Sequence, residues 1–436
     1  MSDLPKIKLS TDSYKGVRDF FPEDQFIQNY LLNTIRKTVE AFGYDEYNAS
    51  PLEPTELYAS KTSDEIVNEQ TYTFTDRGGR SVTLRPEMTP TVSRMVSSKI
   101  RELGLPIRWY SIPNVFRYEQ PQKGRLREHY QLNVDLFGVS SIQGEIEIIN
   151  MASSVMHAFG LEDNDFEIRI NSRKIVNAIL LDICKLEGEA TKTVVRLIDK
   201  KEKLSKADFE TKLSEILGEK APLINTLLSS QNFDEFISHL PEGMKAAEGI
   251  SEIKVVLEKL EKLGITNAVF NQSLMRGFDY YTGIVFEVFD KSPENRRALF
   301  GGGRFDGLLS LFGAPQTPAV GFGMGDVTLR DALESRKLLP KYTGHTTLHI
   351  CLPDMKYIDD AEELAQIIRE DGTAVTVDYS EKKIGDQIKY AEKRLTRYIV
   401  CVGENELKYD TYKIKELKTG KETELAREEI PAFLKN

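Results

Sequence analysis

The stretch VFRYEQPQKGRLREHYQLNVDLF, residues 115–137, decides the fold. It reads as two strand-like arms around a basic turn. Alternate residues of a strand share a face, so Arg117 and Glu119 fall together on the first arm. On the second arm Gln131, Asn133 and Asp135 share one face, and Leu132, Val134 and Leu136 take the other. The apolar face belongs against a core. The polar face needs partners too, because each buried polar group left unsatisfied costs about 1–3 kcal/mol, and a zwitterionic or phosphorylated ligand supplies them. Lys123, Arg125 and Arg127 surround Gly124 in the turn, which suits a loop touching phosphates. A hairpin with a merely solvated polar face shows the same periodicity, so other segments must separate the two readings.

Five such segments exist. Residues Leu84-Arg85-Pro86-Glu87-Met88-Thr89-Pro90 follow two short strand patterns, Thr71 to Phe74 and Ser81 to Leu84, joined by an Asp76-Arg77-Gly78-Gly79 turn. Glu87 can pair with an ammonium group and Thr89 can hydrogen-bond beside it, although Pro86 and Glu87 also read as the first turn of a helix. Downstream, MRGFDYYTGIVFEV (275–288) sets Arg276 where a loop enters a strand, followed by Tyr280 and Tyr281, whose hydroxyls sit on rigid rings. FGGGRFDG (300–307) has glycines that let a ligand approach the backbone, and PAVGFGMGDVTLR (318–330) reads as a strand turning into a helix. Near the start, KGVRDFFPE (15–23) leads into an amphipathic helix through Tyr30, Leu31, Ile35, Val39 and Phe42, ended by Gly43.

Residues 115–137 resemble motif 2 of the class II aminoacyl-tRNA synthetases, and their QPQKGR turn resembles the histidyl-tRNA synthetase version. Arg276 to Thr282 is similar to that family's Arg-Gly-(Leu/Phe)-Asp-Tyr-Tyr-Thr signature. The amino-terminal helix with Tyr47 to Pro54 resembles motif 1, and residues 318–330 resemble motif 3. The resemblance implies ligation of L-histidine to tRNA(His) at the expense of ATP, through a histidyl-adenylate. It implies catalytic roles for Arg276 and Arg117, with Glu119 joining them at ATP. Glu87, Met88, Thr89, Gln131, Asp135, Tyr280 and Tyr281 are then expected to bind histidine, and Gln120, Gln122, Lys123 and Arg125 to contact tRNA. Mg²⁺ is expected to bridge phosphates, and motif 1 implies a homodimer. Thr328 stands where most class II enzymes carry an ATP-binding arginine; Arg330, two residues on, lies about 200° away around a helix. Phe305 and Gln120 stand where the family usually has tyrosine and arginine.

At 436 residues, 40% of them apolar, the chain is long enough for two or three domains. A formal charge of -10 excludes a surface that coats nucleic acid indiscriminately but not local basic clusters such as Lys389, Lys393, Arg394 and Arg397. Cys184, Cys351 and Cys401 are widely spaced and odd in number, and His129, His157, His239, His345 and His349 show no metal-ligand spacing. No disulfide framework or zinc site is expected. With no signal segment and no apolar run near the roughly 20 residues a bilayer requires, a cytoplasmic protein without a membrane span is expected.

The expected fold class is α+β. A class II synthetase catalytic domain on an antiparallel sheet with helices occupies residues 1–171 and 267–338, holding motifs 1 and 2 in the first part and motif 3 in the second. It is interrupted at 172–266 by an inserted helical domain, where Ile175, Ile179, Leu180, Ile183 and Cys184 recur at helical spacing. Residues 346–436 alternate strand and helix, which implies a small, mostly parallel sheet, and they resemble the family's α/β anticodon-binding domain. A histidyl-synthetase-like regulatory subunit of ATP phosphoribosyltransferase is the alternative; that paralogue typically lacks the anticodon domain, whereas this chain carries Leu348 to Asn436.

Overall fold

The computed structural model describes residues 9–59, 70–122, 124–201, 204–245, 247–274, 280–292 and 298–435. The chain forms two compact units, Met1–Pro340 and Lys341–Asn436.

In the first unit the strands are Asp45–Glu46 (β1), Leu52–Pro54 (β2), Tyr72–Thr75 (β3), Ser81–Leu84 (β4), Ile107–Ser111 (β5), Asn114–Phe116 (β6), Glu128–Phe137 (β7), Phe166–Ser172 (β8), Ala268–Phe270 (β9), Ile284–Asp290 (β10), Ala298–Arg304 (β11) and Ala319–Gly325 (β12). Among the described residues, nine of them form one sheet in the order β1-β5-β7-β12-β11-β10-β8-β9, with β6 also paired to β7. Its central pairings, β5 through β8, are antiparallel. The β7 alternation has the expected consequence: Leu132, Val134 and Leu136 are at most 1% exposed and join a core with Ile148, Met151, Ala152 and Val155 of the helix Gln143–Ala158. Each such side chain contributes about 1.5–3 kcal/mol by leaving water. The helix Pro22–Glu40 packs into the same core through Leu31, Ile35 and Val39; Pro22 opens it, and Glu23 and Asp24 in its first turn suit the helix dipole.

Every element between Arg173 and Lys262 among the described residues is helical. Ser205 and Asn232 cap two of the helices by accepting from the amides of Asp208 and Glu235. The segment leaves the sheet after β8 and returns on β9, the parallel neighbour of β8, so it forms a crossover from the carboxyl end of β8 back to the level of Ile168. Phe209, Leu213, Ile224 and Phe236 form a core continuous with that of the sheet.

Strands β2, β4 and β3 form a separate antiparallel sheet. Its faces run against the usual pattern. Glu53 and Thr83 are buried, with Glu53 held by Arg94 at 2.8 Å, whereas Leu52 and Phe74 on the opposite face are 48% and 47% exposed.

The second unit comprises Leu348–Cys351 (β13), Val375–Val377 (β14), Tyr398–Cys401 (β15), Thr411–Glu416 (β16) and Glu422–Ala426 (β17) in the order β14-β13-β15-β16-β17, with helices Ile358–Glu370 and Ile384–Lys393 in the crossovers. The sheet is mixed rather than mostly parallel. The pairings β13 to β14 and β13 to β15 are parallel, but Gly420, at φ +72°, turns β16 back as a hairpin onto β17, and β16 also runs antiparallel to β15. His349 is buried in β13 with its ring nitrogens on Thr376 at 2.9 Å and Asp378 at 3.2 Å.

Candidate active site

The register of four strands builds the floor of the site. Gln131, Asn133 and Asp135 on β7 stand opposite Gly325, Gly323 and Gly321 on β12; Gly323 and Gly321 stand opposite Gly301 and Gly303 on β11; and Gly301 stands opposite Glu287 on β10. Alternate residues share a face. A row of amides and a carboxylate is thus followed by two bare glycine rows and a second carboxylate. Added side chains have no room there: a Cβ on Gly321 would sit 2.2 Å from the Val134 carbonyl oxygen, and one on Gly323 would sit 2.7 Å from Gln131 Nε2. A flat ligand can therefore lie against backbone. Above this floor opens a cavity of about 470 Å³.

The walls come from several elements. Glu87 precedes the helix Thr89–Lys99, is 2% exposed, and accepts from the Tyr280 hydroxyl at 3.1 Å. Tyr280 meets Tyr281 edge to face at 5.0 Å, and burial first, then the charge of Glu87, pushes both phenols well above their ordinary value, so they remain neutral donors. Arg117 leaves β6 and donates its Nε to the Pro86 carbonyl at 2.9 Å, a neutral partner, and pairs with no carboxylate among the described residues. Burial, with the Arg117 charge second, holds His129 down to about 3, so that ring is neutral. Asp135 is the converse case: burial pushes its carboxyl up to about 8 against the opposing influence of the Tyr47 hydroxyl, and its Oδ2 is buried without a hydrogen bond of ordinary geometry among the described residues. A buried carboxyl oxygen left unsatisfied is suited to a cation or a donor from a ligand.

Of the residues singled out in the sequence, Arg117, Glu119, Glu87, Thr89, Gln131, Asp135, Tyr280 and Tyr281 all line this one cavity. Arg125, expected at tRNA, lines it too and pairs with Glu119 at 3.2 Å. Gln120 and Gln122 are exposed outside it, Gln122 exchanging backbone hydrogen bonds with Arg125 at 3.0 and 2.9 Å across the turn. Met88 does not line the cavity; it is fully buried in an apolar cluster with Val92, Phe137 and Phe305. Arg276 and Lys123 lie outside the described residues. Phe305 is 2% exposed, lines the cavity and packs edge to face on Phe137 and Tyr280 at 6.1 and 5.9 Å. Thr328 lines it as well, donating to the Leu299 carbonyl at 2.9 Å, whereas Arg330 pairs with Asp24 at 2.7 Å.

Sequence reasoning missed His129 and Glu287 as lining residues. The signal for His129 was its parity with Gln131, and Glu287 shares a strand face with Val285 after the tyrosines. Arg304, in the glycine-rich element, is structural: Nε and Nη2 grip the Glu145 carboxylate at 2.6 and 2.5 Å, and Nη1 donates to the Val139 carbonyl at 3.0 Å.

Residues 16–327 match the family model for histidyl-tRNA synthetase, and residues 347–436 match that for an anticodon binding domain. A histidine–tRNA ligase from Leptospira biflexa is 41% identical over 416 residues, 94% of each chain. One from Thermoplasma volcanium is 35% identical over 428 residues, covering 98% of this chain and 99% of its own. The crystal structure of histidyl-tRNA synthetase from Nostoc sp. PCC 7120 superposes with a TM-score of 0.81 at 22% identity, covering 98% and 99% of the two chains, a likeness of fold. The chain belongs to the histidyl-tRNA synthetase family.

Proposed function

We propose that this chain is a histidine–tRNA ligase. ATP and L-histidine first give histidyl-adenylate and diphosphate, and the 3′-terminal adenosine of tRNA(His) then takes the histidyl group, releasing AMP. The observation that carries this reading is a single cavity that gathers an arginine paired with no described carboxylate, buried carboxyls and neutral tyrosines over a floor of glycines. That set serves a cationic amino acid and an anionic nucleotide together, and nearly full-length kinship with named histidine–tRNA ligases supports the same reaction.

Activation requires a carboxylate to approach an α-phosphate that is itself negative, so the site must offset charge and hold geometry more than move protons. Arg117 is suited to the α-phosphate and the attacking carboxylate, and Arg276, from its place in the family signature, to the same charge. Glu87 and Gln131 are suited to the ammonium group, with Thr89 beside them. Asp135, Tyr280 and Tyr281 are suited to the imidazole. Glu119 and the glycine rows would hold the nucleotide. Among the described residues no cluster of three or more His, Cys, Asp or Glu forms a metal site. Magnesium would therefore be held through the phosphates plus a carboxylate such as Glu119 or Glu287, supplying charge neutralisation.

We read residues 1–171 and 267–338 as the two parts of the catalytic domain, 172–266 as its insert and 346–436 as the anticodon-binding domain, with Gln120, Gln122 and Lys123 facing tRNA. The protein is expected to act in the cytoplasm as a homodimer. The dimer reading is supported by the outward apolar face of the three-stranded sheet, where Leu52, Leu84 and Tyr72 align across the strands and Pro54, Val82 and Phe74 form the next row. Arg276→Ala tests the chemistry. A folded protein whose histidine-dependent pyrophosphate exchange falls by about 10²–10³ or more is expected; exchange within a few-fold of wild type would remove Arg276 from the mechanism.

A further inference from the structure

In the second unit, β13 and β15 are parallel neighbours whose register ends with Cys351 opposite Cys401. Adjacent strands lie about 4.8 Å apart, matched residues of a parallel pair project to the same face, and a disulfide needs Cα atoms about 4.4–6.8 Å apart. The two sulfurs are thus within reach of one bond. Cys351 is buried and Cys401 partly exposed, so a small reagent meets Cys401 first. Each thiol is the main influence on the other, holding Cys401 below, and Cys351 above, the ordinary thiol value. Their position favours access. The β13 strand has β14 on one side and β15 on the other, which makes the carboxyl ends of β13 and β15 the topological switch point of the parallel part of the sheet, and both cysteines are the last residues of those strands. Neither thiol lines the cavity of the first unit.

We propose that Cys401 and Cys351 form a thiol–disulfide exchange site for low-molecular-weight disulfides of the glutathione class. The Cys401 thiolate attacks one sulfur of the disulfide, whose S–S bond breaks and releases one glutathione thiolate, which takes up a proton. Cys351 then gives up its proton and attacks the Cys401 sulfur, expelling the second glutathione. Two protein thiols are oxidised to one cross-strand disulfide, and one glutathione disulfide is reduced to two thiols. A dithiol reductant reverses the sequence.

The test exposes the full-length protein to glutathione disulfide and maps peptides by mass under non-reducing conditions. Expected is a Cys351–Cys401 linked peptide with no lasting glutathione adduct, while Cys184, whose thiol burial pushes up, reacts about tenfold or more slowly. Cys351→Ser should trap glutathione on Cys401, and Cys401→Ser should show neither adduct nor link; thermal melts verify that both variants are folded. Modification of Cys184 as fast as Cys401 would overturn the site. So would a wild-type protein that keeps glutathione on Cys401 without forming the link, a result that needs no variant.

Discussion

Asp135→Asn separates what the buried carboxyl does for the fold from what it does for the ligand. In the folded chain burial raises this group from 3.8 to about 8, so between those values the folded state holds a proton that the unfolded state has lost. Stability must then fall as pH rises through that window, since it increases with pH only where the unfolded state binds more protons. At about 1.4 kcal/mol per pH unit, the difference caps the loss at about 6 kcal/mol. Water entering the open cavity reduces the burial cost, and about 2–4 kcal/mol is expected. Asparagine mimics the protonated acid and does not titrate. Urea unfolding of both proteins at pH 5 and pH 8.5 should therefore show the wild type losing about 2–4 kcal/mol more than the variant. Parallel pH profiles would mean that Asp135 is ionised throughout and that its site is better solvated than its burial indicates. The same variant should activate histidine at least about 10²-fold less efficiently, because a cationic ligand beside Asp135 favours loss of its proton and then meets a carboxylate, whereas the amide cannot carry charge.

Other substitutions probe the scaffold and the floor. Arg304→Ala strands the Glu145 carboxylate in the core and should cost about 3–5 kcal/mol in thermal or urea unfolding; a loss below about 1 kcal/mol would show that Glu145 finds water or another donor. Gly323→Ala brings a methyl within 2.7 Å of Gln131 Nε2 and should raise the KM for histidine or ATP well before it lowers the melting temperature. The reverse order would mark Gly323 as a packing residue. Phe74→Asp on the outward sheet face should yield monomers in sedimentation while leaving the monomer folded; an unchanged mass distribution would remove that face from the dimer.

Much of the fold was legible locally because its signals repeat within one element. The period of two in β7 correctly separated Leu132, Val134 and Leu136 from Gln131, Asn133 and Asp135, and the helical insert showed in Ile175, Ile179 and Leu180. What stayed hidden depends on partners far apart in the chain. Arg304 and Glu145 lie 159 residues apart, so nothing local distinguishes that arginine from a phosphate ligand. Arg125 read as a loop residue for tRNA, and the turn at Gly124 folds back toward Thr328, 3.6 Å from where a Cβ on Gly124 would stand, and carries Arg125 to the cavity wall. For Met88, motif membership suggested a ligand contact, whereas the residue is buried in the core. The mixed sheet of the second unit was misread because β16 and β17 pair through a turn at Gly420 instead of a helical crossover.

Charging of tRNA(His) by the purified full-length chain, with ATP and each amino acid in turn, tests the central claim most directly. Histidyl-tRNA should form with histidine alone, with AMP and diphosphate released in step and activity lost in Arg117→Ala. Binding of histidine without adenylate or charged tRNA, as expected of a regulatory subunit that senses histidine, would contradict it.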